Sequence, residues 1–423
     1  MHWSLVLGCI CALGVAAQNA DLPPELATLA RVKQRTNETL ARQPNYTCIQ
    51  QVERSYRRLP KRKFELHDLL RIEVAIVEGK EMYAWPGSRK FEETDLTEMV
   101  SGGAIGTGNF ATHASAVFRT SAPQFKFEGP AEINGRNAIK FNYVVPLFNS
   151  GYRIRVGQRE AIVGYHGSFW ADAKTNELIR LEVVADDIPP FLGIAAAQDS
   201  MEYARRKIGA SEFLLPAGSE LVMTDLQGNE SRNRTLFTGC RQYSGESVLT
   251  FAEAPSDSES AKTDNADARE KESIVIPEDL EFNVKFENGF DVATAAVGDP
   301  APAILDEDIR VKRRVLLAKG ARLSGRIARL DRENGNTVLD FQFYEADSPT
   351  THATLNAVVE PNASAFTGRF AFQSSMYERQ RRAVRPGGML LRGDGRRFRP
   401  GERIRVKTVN PTSRPAGSHT SLD

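Results

Sequence analysis

Cysteine is scarce in this chain of 423 residues, with only four in all. Cys9 and Cys11 sit in the opening apolar run, and no Cys-x-x-Cys pair follows it. There is no Gly-x-Ser-x-Gly elbow and no His-Glu-x-x-His, so two common hydrolase machineries are excluded. The histidines beyond the opening run (His67, His113, His166, His352 and His419) are scattered without metal-ligand spacing. Asp172, Asp186 and Asp187 could supply paired carboxylates. They read better as hairpin and loop residues. No enzyme, metal or cofactor is therefore expected. Beyond the N-terminus no apolar run reaches the roughly 18 residues of a membrane span. Net charge is also near absent, at +1.

What is present begins with a targeting segment. Residues 3–17 are almost wholly apolar, and Ala16-Ala17-Gln18-Asn19-Ala20 offers small residues for cleavage. We read 1–20 as a signal peptide, which places the chain in the periplasm or outside the cell. Once that segment is removed, no integral membrane protein is expected. The remaining Cys48 and Cys240 can then pair in an oxidising compartment. A loop that long would stabilise by about 4–5 kcal/mol in the chain-entropy model. The alternative is two buried free thiols.

Apolar spacing at Leu26, Leu29, Val32, Thr36 and Leu40 predicts a helix over 22–43. Strands are predicted at 45–56, 64–77 and 82–85, and a meander resumes at Gln124. Asn134-Gly135 marks a tight hairpin, since both central positions of its turn need positive φ. Residues 152–156 and 160–165 read as part of that meander. The stretch 165–251 holds its later strands. Gly106-Thr107-Gly108-Asn109-Phe110-Ala111 fits the glycine pattern of a dinucleotide site. No strand precedes it, so it reads as a loop feeding a short helix at 110–118, a lid over the sheet.

From 252 to 273 there is no aromatic residue and no aliphatic one larger than alanine. Such a stretch cannot bury enough to offset its ordering entropy, and it reads as a disordered linker. The expected layout is a first domain at 21–251, a small β-barrel domain at 274–410 and a flexible tail at 411–423. The last strands, 389–392, 398–401 and 404–407, read as a closing hairpin. The fold class is mainly β with a few helices: a curved antiparallel half-barrel followed by a small barrel.

Two family resemblances attach to particular residues. Residues 22–251 resemble the LolA/RseB type of periplasmic lipoprotein-binding domain. The likeness rests on a leading helix, a strand carrying Gln50-Gln51 and the hairpin from Phe169-Trp170-Ala171-Asp172 through Thr175 to Leu178-Ile179-Arg180. It implies an unclosed barrel half wrapped around helices, with an apolar cavity for acyl chains. Residues 290–345 resemble part of the TrbI-like barrel of type IV secretion cores. That likeness rests on Leu316-Leu317-Ala318-Lys319-Gly320-Ala321-Arg322-Leu323-Ser324-Gly325, with Ala318 where proline is usual.

The expected role is a non-enzymatic binding protein for an acyl chain, lipid or lipidated partner. The alternative is a scaffold or assembly factor of the bacterial envelope that meets other envelope proteins. Groove candidates are Phe110, Phe118, Phe141, Phe169, Trp170 and Phe191. From Tyr377 to Arg414 twelve basic residues face three acids, so the rest of the chain carries about −8. Arg396, Arg397, Arg399, Arg403 and Arg405 are candidates for an anionic envelope partner. Secretion argues against nucleic acid.

Overall fold

Period-two alternation sets most of the chain in strands. The computed structural model describes residues 22–61, 63–88, 91, 96–100, 105–106, 112–157, 159–243, 271–333, 335–359 and 388–410. The signal segment, Phe110 and most of the stretch read as a linker lie outside the described residues. Helix α1 (Pro24–Arg42) opens on proline, whose missing amide is no loss in a first turn, and buries Val32 and Thr36. Strands β1 (Tyr46–Arg57), β2 (Glu65–Val77) and β3 (Lys80–Ala84) follow. Two short helices come next, α2 (Leu96–Met99) and α3 (Thr112–Phe118). Then come β4 (Gln124–Ile133), β5 (Arg136–Val145), β6 (Arg153–Val156), β7 (Arg159–Ile162), β8 (Gly164–Asp172), β9 (Leu178–Asp186), β10 (Ile194–Ile208), β11 (Ser211–Asp225) and β12 (Glu230–Gln242).

Ten of these strands make one curved antiparallel sheet, in the order β3-β2-β1-β12-β11-β10-β9-β8-β5-β4. The last strand thus returns beside the first. Cys48 on β1 and Cys240 on β12 are joined there by a disulfide, at a register shift between Thr47 and Ile49. Asn134 and Gly135 take φ of 52° and 73°, as the tight turn requires. Among the described residues, strands β6 and β7 pair only with each other, apart from the meander expected to contain them. Glycine at 167 is required by close approach: a Cβ there would fall 1.9 Å from the Glu182 carbonyl oxygen, which accepts the Tyr143 hydroxyl at 2.6 Å.

The outer strand β4 is largely exposed. Its ladder is broken by a bulge at Gly129 and followed by Pro130, which donates no amide. Lys126 and Glu128 face solvent as an ion pair beside it.

The second sheet starts with β13 (Glu272–Val275), inside the end of the stretch read as a linker. The chain continues through β14 (Glu281–Phe286), β15 (Phe290–Asp291), β16 (Ala303–Leu305), β17 (Ile309–Val311), β18 (Arg314–Leu317), β19 (Arg322–Glu333), β20 (Asn336–Asp347), β21 (Thr351–Val359), β22 (Met389–Arg392), β23 (Arg397–Phe398) and β24 (Arg403–Thr408), with β15–β23 and β17–β18 forming two separate two-stranded sheets. Six of them close a barrel, β14-β16-β19-β20-β21-β24, because β21 pairs with both β20 and β24. The core stacks Phe290 on Phe398 at 4.6 Å, with Phe286 and Phe341 edge-on around them. The expected closing hairpin is not formed. β22 pairs with β20, β23 with β15, and β24 with β14 and β21.

The two sheets meet along β2. Where β3 stops, Val297 takes its place on the edge: Arg71 donates to the Val297 carbonyl and Val297 to that of Leu69, both at 2.8 Å. Arg71 also pairs with Asp299, and the Arg326 guanidinium lies 5.0 Å from the Trp85 ring. One apolar cluster runs from Val52, Leu70 and Ile72 into Phe282, Leu323 and Phe341.

Candidate functional site

Register carries single rows of side chains across the concave face of the large sheet. One row runs Phe141, Phe169, Leu181, Met201, Ser219, Thr235, Val52, Leu70. A neighbouring row pairs Asp199 with Leu221, Leu221 with Asn233, Asn233 with Arg54, and Arg54 with Asp68. The face is therefore apolar under the helices and polar at its centre. On the apolar side, Val32 of α1 and Ala114, Val117 and Phe118 of α3 pack onto Phe141, Phe169, Leu181 and Val183. Glu177 ties α1 down. It accepts from Arg35 of α1 at 2.8 Å and from Arg205 of β10 at 3.2 Å, with its own side chain buried.

Asp199 is the unusual group of the polar belt. Alternation along β10 turns it inward between Ala197 and Met201. It is 3% exposed, and its Oδ1 has no hydrogen-bond partner among the described residues. Burial pushes the carboxyl up to about 7, against the pull of the Ser200 amide. His113 of α3 stands 3.9 Å away, beyond hydrogen-bond reach, with its ring edge-on to Tyr152. The Tyr203 hydroxyl, also buried, has no partner among the described residues. Burial raises that phenol, and Asp199 and Glu81 add to the effect. The chain crosses directly above at Gly106, where a Cβ would lie 3.2 Å from Leu221 and 3.9 Å from the Asp199 carboxyl. The Asp199 carboxyl, held partly protonated, and the Tyr203 phenol, four residues on along the buried side of β10, offer two O–H donors and a free acceptor. That set suits the polar end of a molecule whose remainder is apolar.

The sequence-derived candidates divide. Phe118, Phe141 and Phe169 come together, with ring centroids 5.0 and 5.1 Å apart, fully buried under α3. Trp170 does not join them. Neighbouring strand residues face opposite ways, and Trp170 lies on the other face, between Lys140 at 5.0 Å and Arg180 at 5.8 Å. Phe191 stands outside the concave face on the turn Pro190–Leu192 and is 54% exposed. The arginines meet acids: Arg396 with Glu402, Arg397 with Asp291, Arg403 with Asp306 and Arg405 with Glu281. Arg399 donates its backbone amide to Glu402. Asp172 does close a hairpin. The Thr175 and Lys174 amides and Arg136 outweigh partial burial and hold it at about 2.

Sequence reasoning missed Asp199, Tyr203 and His113. The available signal was an acid at an inward position of an alternating strand. It also missed that β2 and β19 bring His67, Asp68 and Asp331 within 4.8 Å of one another. Arg54 holds Asp68 bidentately and Arg329 holds Asp331 at 2.5 Å, so both carboxylates already have cationic partners. No helix among the described residues is long and apolar enough to cross a membrane.

No protein-family model matches the chain, and no curated protein does. Among solved structures, a putative outer membrane lipoprotein-sorting protein domain from Vibrio parahaemolyticus is similar at 13% identity and a TM-score of 0.29. The match covers 51% of this chain and 94% of that one. A LolA superfamily protein from Nitrosomonas europaea is similar at 10% identity and a TM-score of 0.26, over 51% and 94% of the two chains. A DUF1329 family protein from Desulfovibrio piger is similar at 9% identity and a TM-score of 0.28, over 52% and 94%. Likenesses at such TM-scores decide neither the fold nor the function of this chain.

Proposed function

We propose that this chain is a non-enzymatic binding protein of the periplasm or the exterior, which holds an acyl chain, lipid or lipidated partner under the curved sheet. In this reading 21–251 is the binding unit and 274–410 a small barrel attached to it. The observation that carries it is Asp199. Its Oδ1, buried with no hydrogen-bond partner among the described residues, is destabilising as it stands and is positioned to accept from a ligand. It borders the apolar wall formed by Leu181, Val183 and Met201. The acyl part of a ligand would lie along that wall in place of α3, which packs on it here and would have to lift. Its ester or acid oxygens would meet Asp199 and Tyr203.

Native mass spectrometry of the full chain purified from membranes tests this. An adduct with the mass of an acylated compound is expected, and Asp199→Leu should reduce its occupancy several-fold. A bare chain that also takes up no added fatty acid or phospholipid would overturn the reading. A discrete protein partner in place of lipid would turn it toward an envelope scaffold.

A further inference from the structure

The polar belt around Asp199 is rich in aromatic rings and poor in cations. Tyr152 stands edge-on to Tyr165 and to His113, each at 5.7 Å. Tyr165 and Tyr203 belong to the apolar cluster under α3, and Tyr152 packs against it. The Asp199 charge reaches two of these rings, since it adds to the rise of the Tyr152 and Tyr203 phenols. Glu81 of β3 acts on Tyr203 as well, and it accepts the Tyr83 hydroxyl at 2.6 Å. Around the carboxyl stand His113 of α3, Tyr152 ahead of β6, Val183 of β9 and Leu221 of β11, with Gly106 crossing above. Among the described residues no lysine or arginine pairs with it. Arg54, further along the same row, is taken by Asp68, and Arg35 and Arg205 are held by Glu177. Asp199, when ionised, is left as an uncompensated negative charge among phenols.

We propose that this end of the concave site takes an organic cation, an amine or quaternary ammonium at the head of an apolar tail. The inference rests on the reading of the concave face as a ligand site and names the head that the site selects. An ionised carboxyl in surroundings of low polarity gains most from a positive partner, and a second anion there would meet repulsion. The rings add to the attraction, since a cation within about 6 Å of a phenol ring is drawn by its quadrupole. A metal ion suits the place less, because hard cations need several oxygen ligands and Asp199 is a single carboxyl among rings. Ester oxygens of the same ligand would still accept from Tyr203. Because the ammonium binds the ionised carboxyl, its uptake releases the proton that the empty site holds at lower pH. His113, at 3.9 Å and beyond hydrogen-bond reach, competes with the ligand when it carries a proton, which strengthens the same trend.

The test is calorimetric titration of the full chain with decyltrimethylammonium, decanol and decanoate, each at pH 8 and at pH 5. At pH 8 the ammonium should bind about tenfold or more tighter than decanol, and decanoate weaker than both. At pH 5 the ammonium affinity should fall about tenfold or more, and that of decanol should change less. Asp199→Asn should level the ammonium-to-decanol ratio and remove its dependence on pH, with the melting temperature checking that the fold is retained. The wild-type pH profile decides by itself if the variant does not fold. A tighter decanoate would overturn the proposal, as would an ammonium affinity indifferent to pH or a preference that Asp199→Asn leaves intact. Decanol bound at pH 8 as tightly as the ammonium overturns this inference and leaves the ligand reading standing. A chain that takes up none of the three overturns both.

Discussion

At the scale of single residues, Asp199 links stability to pH. Its carboxyl titrates near 7 when folded and near the ordinary 3.8 when the chain is open. Between those values the folded state holds a proton that the unfolded state has lost. Its contribution to stability is therefore greatest below pH 4, falls as pH rises to about 7, and is flat above. The full difference is on the order of 4 kcal/mol. Asp199→Asn removes the charge while keeping the shape. We expect it to melt higher than wild type at pH 8 and about equally at pH 4, by thermal denaturation at both. A variant less stable than wild type at pH 8 would mean that the Ser200 amide and His113 stabilise the carboxylate by more than its burial costs. The residue scale also shows what alternation can and cannot reveal. Of the groove candidates, Phe141 and Phe169 share the buried face that their period allows, whereas Trp170, one step along the same strand, lies on the opposite one. Asp199 was overlooked because a strand's inward acid looks in sequence like any acid.

At the scale of elements, α1 stays on the sheet through Val32 and the Arg35–Glu177–Arg205 bridge. Glu177→Ala leaves two arginines that can still reach water, so the loss should be about 1–3 kcal/mol rather than the larger value for a sealed pair. Urea denaturation should show that loss. Amide exchange should show α1 opening before β10, and equal protection of both would count against the clamp. The elements legible in sequence were those defined locally. Helix α1 declared itself by spacing and Pro24, and the β4–β5 hairpin by Asn134-Gly135. Pairing between distant segments was not legible. Nothing near Met389, Phe398 or Ile404 signals four different partner strands, and nothing in 153–162 says that its hairpin leaves the main sheet.

At the scale of the whole molecule, the joint at Val297–Asp299 governs how the two sheets behave together. Gly298 has φ of 97°, and a Cβ there would lie 2.2 Å from the Arg71 carbonyl oxygen and against the Trp85 ring. Because one apolar cluster spans both sheets, wild type should unfold in a single calorimetric transition. Gly298→Val should cost about 2–4 kcal/mol and resolve two transitions as the joint opens. A single, unshifted transition in the variant would show that the joint carries little coupling.

The far side of the same sheet ends in β4. A row of unpaired amides and carbonyls there would recruit another chain's strand and let the sheet extend from molecule to molecule. The bulge at Gly129 and the missing amide of Pro130 interrupt that template midway, and Lys126 and Glu128 keep it hydrated. Four residues at one edge thus help to keep an open sheet from seeding a fibre.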